Sequence, residues 1–494
     1  MGESVIKRRS LLLGGAVAAT GAASATGAGV LLLSAPPSSA AAAVGIDPGS
    51  IAKYVLKMPV LPDLRPHGAS ITTDYYRMTM EEAYREVIPG FQTKVNTYNG
   101  HFPGPVINAW SGRRVVITQT NRLGVPTSVH LHGAHVPSSS DGGPMDLIAP
   151  GGGTKTYTYP NKQAHANLWF HDHAHHLESE TVFRGLTGTY LLRDEVEARL
   201  GLPSGQYDIP LSVRDARFDD SGQFLFQMDD FFNRQVVLTN GKAWPYFEVA
   251  ARKYRFRIFN TANLRSFQFA LADNSPFTLI GTDGGLLAAP YTTQSVLLSP
   301  GERADIVIDF SRYPVGTELE LRNIIPQAPG TPPDVSQVLQ FRVTRTERDH
   351  SVVPAKLRTL PALPPATVER SFSLLMDESS PEPAWAYING KEYDPDRVDT
   401  TIAYDTTEIW TVTNANKIAP HNFHIHLVQF RVLERNGVAV TEGAESGLKD
   451  TVFLRAGETV KLQATFTGYR GVYLYHCHLF DHASMGMMAQ MEVV

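Results

Sequence analysis

The sequence predicts an all-β protein made of three consecutive β-sandwich units. Three observations carry that expectation. From Val44 onward, short β-branched or alternating runs are separated by Gly, Pro, Asn and Asp clusters, with few helical periodicities. A strand that ends in Asn occurs three times: Val115 to Asn121, Phe256 to Asn260 and Trp410 to Asn414. The length of 494 residues suits about three domains at roughly 150 residues each.

Residues 1–43 read as an export segment rather than as fold. Lys7-Arg8-Arg9-Ser10-Leu11-Leu12 is a twin-arginine pattern, an apolar stretch runs to about Leu33, and small residues from Ser38 to Ala43 suit cleavage. A retained single-span anchor is the alternative. The units that follow are expected at 44–198, 199–358 and 359–494. The breaks lie near Leu202-Pro203-Ser204-Gly205 and in the Pro-rich stretch Pro354–Pro365.

After each Asn-ending strand comes a second strand: Ser128-Val129-His130-Leu131-His132, Ser266-Phe267-Gln268-Phe269, and Asn422-Phe423-His424-Ile425-His426. A Gly turn then recurs, at Pro150-Gly151-Gly152, Pro300-Gly301-Glu302 and Ala456-Gly457-Glu458. The outer copies carry His-X-His where the middle copy has Phe-Gln-Phe. The first and third units are therefore expected to hold metal, and the second to act as a spacer.

Composition excludes several classes. Lys+Arg against Asp+Glu is 44 to 49, which argues against a generally basic nucleic-acid binder. The single cysteine, Cys477, excludes a disulfide framework within the chain, a four-cysteine zinc site and a cysteine-ligated iron–sulfur cluster. The hydrophobic fraction of 43% is that of a globular chain.

Histidine is the informative residue. Of 17, ten fall in four clusters: His130-Leu131-His132, His171-Asp172-His173, His421 to His426, and His476-Cys477-His478 with His482. Residues i and i+2 of a strand share a face. Each His-X-His thus presents two imidazoles side by side, and two facing sandwiches can gather eight. Cys477 then points the other way, into the third unit, toward His421, His482 and Met487. A thiolate, two imidazoles and a weak thioether form a blue-copper set. A zinc hydrolase needs far fewer ligands than these.

These clusters, with Leu168-Trp169-Phe170-His171-Asp172-His173 and Glu445 to Asp450, resemble the three-domain multicopper oxidases. The chain is most similar to their bilirubin oxidase and spore-coat laccase branch. The resemblance implies cupredoxin-like Greek-key domains and four copper ions. Type 1 copper would take His421, Cys477, His482 and Met487, and type 2 copper would take His130 and His424. The type 3 pair would take His132, His171, His173, His426, His476 and His478. Cys477 would be the electron entry, and Asp141 a proton-relay carboxylate. The implied reaction couples four one-electron oxidations of phenols, aminophenols or bile pigments to reduction of O2 to two waters. The alternative is a metallo-oxidase oxidising Cu(I) or another metal ion. A nitrite reductase would normally have two such domains, and a plain electron carrier would not need eight further imidazoles. The expected partners are a small-molecule reductant and O2, with no nucleic acid and no stable membrane association after cleavage. The expected state is an exported monomer.

The chain departs from that branch after His482. Ala483-Ser484 stands where relatives often have Glu-Asp, so Asp141 is expected to carry more of the proton supply. Ala419 and Pro420 also differ from the bilirubin oxidases beside His421.

Overall fold

A computed structural model describes residues 45–326, 333–379 and 385–494. The export segment lies outside the described residues. Among them, no helix is long and apolar enough to cross a membrane.

The strands assemble into three sandwiches of two sheets each. In the first, a five-stranded sheet built on Thr73–Arg85, Arg114–Asn121 and Gly153–Tyr159 faces a four-stranded sheet. The latter runs Val106–Trp110, Thr187–Arg193, Ala166–Asp172, Val129–His132. The second pairs a seven-stranded with a five-stranded sheet, and the third a six-stranded with a five-stranded one.

The repeat seen in the sequence is a repeat of topology. Each Asn-ending strand lies parallel to the first long strand of its unit: Thr73 to Met80 along Arg114 to Asn121, Asp208 to Val213 along Arg255 to Asn260, and Val368 to Leu374 along Glu408 to Asn414. On its other side it pairs antiparallel with the strand after the Gly turn. The three asparagines are buried and make the same bonds. Each carboxamide oxygen accepts the N–H two residues on, at Leu123, Ala262 and Asn416. Each amide nitrogen donates to two carbonyls, the second being Ile148, Leu298 or Leu454. The Gly turn closes the corner, since Gly152, Gly301 and Gly457 donate to the carbonyls of Asn121, Asn260 and Asn414. Asparagine recurs because a buried corner with loose backbone groups needs a side chain that both donates and accepts.

Apolar side chains alternate into the space between the sheets. Ile117, Leu131, Phe170 and Tyr190 fill the first unit, Phe256, Ile306 and Phe341 the second, and Trp410, Phe423 and Tyr475 the third. The described residues form three short α-helices, of which the first and third border the site. They are α1 (Glu178–Arg184), α2 (Glu195–Ala198) and α3 (Phe480–Ser484). Helix α3 lies between Cys477 and Met487 and packs against α1.

Candidate metal centre

The first and third sandwiches meet along their histidine strands. Register sets the array. His130 stands opposite His171, and His424 opposite His476, as direct cross-strand partners. Across the interface the two His-X-His pairs run antiparallel: His130 stacks on His426 and His132 on His424, each with 3.8 Å between ring centroids. All eight rings of the four His-X-His pairs are buried.

Second partners fix which nitrogen faces inward on six of the eight rings, all but His173 and His478. The Nδ1–H of His130 donates to the Asp141 carbonyl at 2.6 Å, and that of His424 to the Asp450 carbonyl at 2.7 Å. His171 and His476 use Nδ1 in the same way on the carbonyls of Asp172 and Cys477. His426 places its Nδ1 2.7 Å from the Asp141 carboxylate. Each ring thereby turns its Nε2 lone pair to the centre. His132 is reversed. Its Nε2–H donates to Asp450 at 2.8 Å, leaving Nδ1 inward.

The inward nitrogens form two triads. In one, His132 Nδ1 and His171 Nε2 lie 3.0 and 3.3 Å from His478 Nε2. In the other, His173 Nε2 and His426 Nε2 lie 3.4 and 3.2 Å from His476 Nε2. Beside them, His130 Nε2 and His424 Nε2 are buried with no hydrogen-bond partner. Burial, the leading cause, holds all eight imidazoles below their ordinary range, His130 to about 3 and His476 to about 4. Neutral rings with converging lone pairs and orphaned buried nitrogens fit cations, and imidazole suits copper.

A second group lies on the other side of Cys477. His421 Nδ1 and His482 Nδ1 are 3.0 Å apart, and Cys477 Sγ is 3.8 and 3.9 Å from them. His421 donates from Nε2 to Asn416 at 2.8 Å, which fixes its inward nitrogen. Met487 is fully buried, and its carbonyl accepts the Cys477 N–H. Burial pushes the Cys477 thiol up to about 12. A thiolate there calls for a bound cation, as a metal-coordinated thiol is deprotonated outright. In the first unit, Asp172 stands where the third has Cys477. It is buried and bonded to the Ser128 N–H and the Thr181 hydroxyl.

Every residue expected at the site lies in or against these clusters. Asp141 lies between His130 and His426, and a cleft of about 510 Å³ reaches it from outside, lined also by Ser138, Tyr393, Tyr473 and Gln490. Its turn requires Gly142, where φ is +74° and a Cβ would sit 2.0 Å from the Val129 carbonyl. Burial pushes the Asp141 carboxyl up to about 8.

The sequence reading missed the braces. Asp450 holds His132 and takes two 2.6 Å bonds from buried Arg303. Asn422 accepts the His478 N–H at 2.6 Å and lies 3.6 Å from Cys477 Sγ. Its amide donates to Ser299 and Pro300 of the middle unit. Among the described residues that unit contributes to none of the histidine groups, yet it is more than a spacer. At Gly301, φ is +88° and a Cβ would stand 2.9 Å from His478 Nδ1. Asn422 lies inside the His421–His426 cluster and Asp450 ends the Glu445–Asp450 stretch, but nothing local in the sequence indicates what they touch.

Three multicopper oxidase family profiles match residues 79–197, 217–317 and 364–494. The chain is 33% identical to a laccase of Bacillus subtilis (strain 168), across 90% of this chain and 99% of that one. It is 36% identical to a bilirubin oxidase of Albifimbria verrucaria, across 84% and 76%. The crystal structure of a laccase from Pediococcus acidilactici superposes with a TM-score of 0.82 at 30% identity, covering 90% of this chain and 95% of that one. The fold is three cupredoxin-like domains, and the chain belongs to the multicopper oxidase family. It is a laccase-like copper oxidoreductase that uses O2.

Proposed function

We propose that the protein oxidises phenols, aminophenols or bile pigments one electron at a time and reduces O2 to two waters. The observation that carries this is the placing of Cys477 between His476 and His478. One side chain faces the His421–His482 group, and its two neighbours reach the two histidine triads. Copper bound there supplies the one-electron redox chemistry. His421, Cys477, His482 and Met487 would hold the type 1 ion. His130 and His424 would hold type 2, and the triads His132–His171–His478 and His173–His426–His476 the type 3 pair. That makes four ions.

The residues do the rest. The Nδ1 and Nε2 hydrogen bonds keep the rings oriented without reorganisation. The backbone of Cys477 is a continuous covalent path between the two groups. Asp141 holds and passes protons at the inner end of the cleft. The reductant would approach at His482, which is 5% exposed while His421 is 0%. Nearby, Glu378 pins the loop before His421 by accepting the N–H groups of Ile418 and Ala419 at 2.9 and 2.8 Å. The mature protein would be an exported monomer, after cleavage near residue 43.

O2 uptake by the copper-loaded protein, with a substituted phenol, bilirubin and Cu(I) side by side, tests the reading. Fast uptake with the organic donors is expected. Uptake with Cu(I) alone would replace it with the metallo-oxidase alternative.

A further inference from the structure

We propose that Glu178 is a proton-relay residue of this enzyme, holding its proton beside α3 and passing it toward the oxygen-reducing centre. The inference rests on the oxidase reading above. Reducing one O2 to two waters takes four electrons from the reductant and four protons from solvent. Each proton must cross a buried shell, which requires groups that can hold it there.

Glu178 opens α1, five residues after His173. It is 1% exposed, and neither carboxylate oxygen has a hydrogen-bond partner. A buried carboxyl left unpaired is costly and calls for an explanation. Helix α1 packs against α3, which carries His482. The Ser484 hydroxyl of α3 lies beside Glu178 without closing a bond of normal geometry.

The other facing groups are few. Asp172, at the end of the first unit's ligand strand, acts on Glu178 through its charge. Tyr393 feels the charge of Glu178 in turn, lines the cleft that reaches Asp141, and sits 4.9 Å from the His175 ring. His175 stacks on His176, whose ring bonds the Ser484 carbonyl.

The one acid on α3 is already committed. Asp481 pairs with buried Arg234 at 2.8 Å, and accepts from Ser179, the Asp229 N–H and Asn263. Position 483 is alanine. Glu178, supplied by the first unit, is thus the uncommitted carboxyl at this helix pair.

Burial, the leading cause, pushes its carboxyl up to about 8, so it keeps its proton at neutral pH. In the relay the carboxyl O–H proton leaves, the carboxylate remains, and a proton arriving from the Tyr393 side restores the acid. Nothing is consumed beyond the four protons per O2.

The test uses the copper-loaded enzyme with Glu178→Gln, Glu178→Asp and the double variant Glu178→Gln/Ala483→Glu. Glu178→Gln should keep copper content, blue absorbance and the KM for the reductant. Its kcat should fall at least tenfold, as expected when a positioned acid is removed, with the deficit growing toward high pH. Glu178→Asp and the relocated carboxylate should each restore part of the rate. Independently of turnover, infrared spectra of the wild type should show a carboxylic acid C=O band at neutral pH that is deuterium-sensitive and absent from Glu178→Gln. A wild-type rate and pH profile in Glu178→Gln, or no such band, overturns the proposal. If Glu178→Gln does not fold, the band in the wild type and its change in Glu178→Asp decide. A wild type that takes up no O2 with any donor sinks the oxidase reading instead, and the infrared band still reports on Glu178.

Discussion

The carboxylate of Asp141 lies 2.7 Å from Nδ1 of His426, while its carbonyl accepts from Nδ1 of His130 at 2.6 Å. One residue of the first unit thus orients a ring of each outer unit. Its other oxygen, Oδ1, accepts no hydrogen bond and lies 3.6 Å from the His130 Nδ1. Asp141→Asn keeps an oxygen that can accept from His426 but loses the acid. It should lower kcat for O2 reduction by about 100-fold or more, the lower end of what a positioned acid contributes. The blue absorbance expected of copper at the Cys477 group should persist. Turnover retained in this variant would remove Asp141 from the proton path.

Cys477→Ser removes the only thiolate. The visible blue band should vanish, and metal analysis should find three coppers per chain instead of four. The eight imidazoles, six of them held by hydrogen bonds that do not involve the Cys477 side chain, should still bind. Loss of all copper would mean that the two groups assemble as one.

Gly301→Ala tests the middle unit. Its backbone has φ of +88°, and the new Cβ meets the His478 ring. A residue forced into that region costs about 1 kcal/mol or more before any clash. Copper bound at the histidine array should fall and the electron paramagnetic resonance of type 2 copper should change, while the blue band stays. An unchanged spectrum and copper count would show that His478 can yield.

Glu178 gives stability a pH dependence of known sign. Its folded pKa of about 8 lies above an unfolded value near 4.5. Below about pH 4.5 both states are protonated and the group contributes nothing to the slope. Between there and about pH 8 the unfolded chain releases the proton and the folded one keeps it. Stability therefore falls as pH rises, by at most about 1.4 kcal/mol per pH unit, and levels off beyond. Glu178→Gln lacks this slope. The melting temperature of the wild type, taken relative to Glu178→Gln, should drop from about pH 5 to pH 8. A constant difference would place the folded pKa in the ordinary carboxylate range.

How much of this was legible depended on range. The His-X-His pairs, the Asn-ending strands and Cys477 were readable because two-residue alternation is a local rule. Their convergence followed from having two such units to face each other. The reversed tautomer of His132 was not readable, since it depends on Asp450, which lies 318 residues away. The same holds for Gly301 against His478 and for Glu178 against Ser484. Helix α3 was missed because Phe480–Ser484 is only five residues long, too short for a periodicity to declare itself. Ala483 stands out in the sequence as a departure, but Glu178, the carboxyl that packs near Ser484, lies on another domain, where no local pattern indicates it.

The stacking of His130 on His426 and of His132 on His424 bears on how the protein is made. A ribosome synthesises the chain from one end, and His132 emerges long before its partner His478, 346 residues later. The strand Gly471–His476 also needs Met488–Val493 beside it before its rings are fixed. Neither triad is therefore complete until the third domain has been made. A product truncated before the third domain, however well its first two domains fold, carries two rings of one triad and only one of the other.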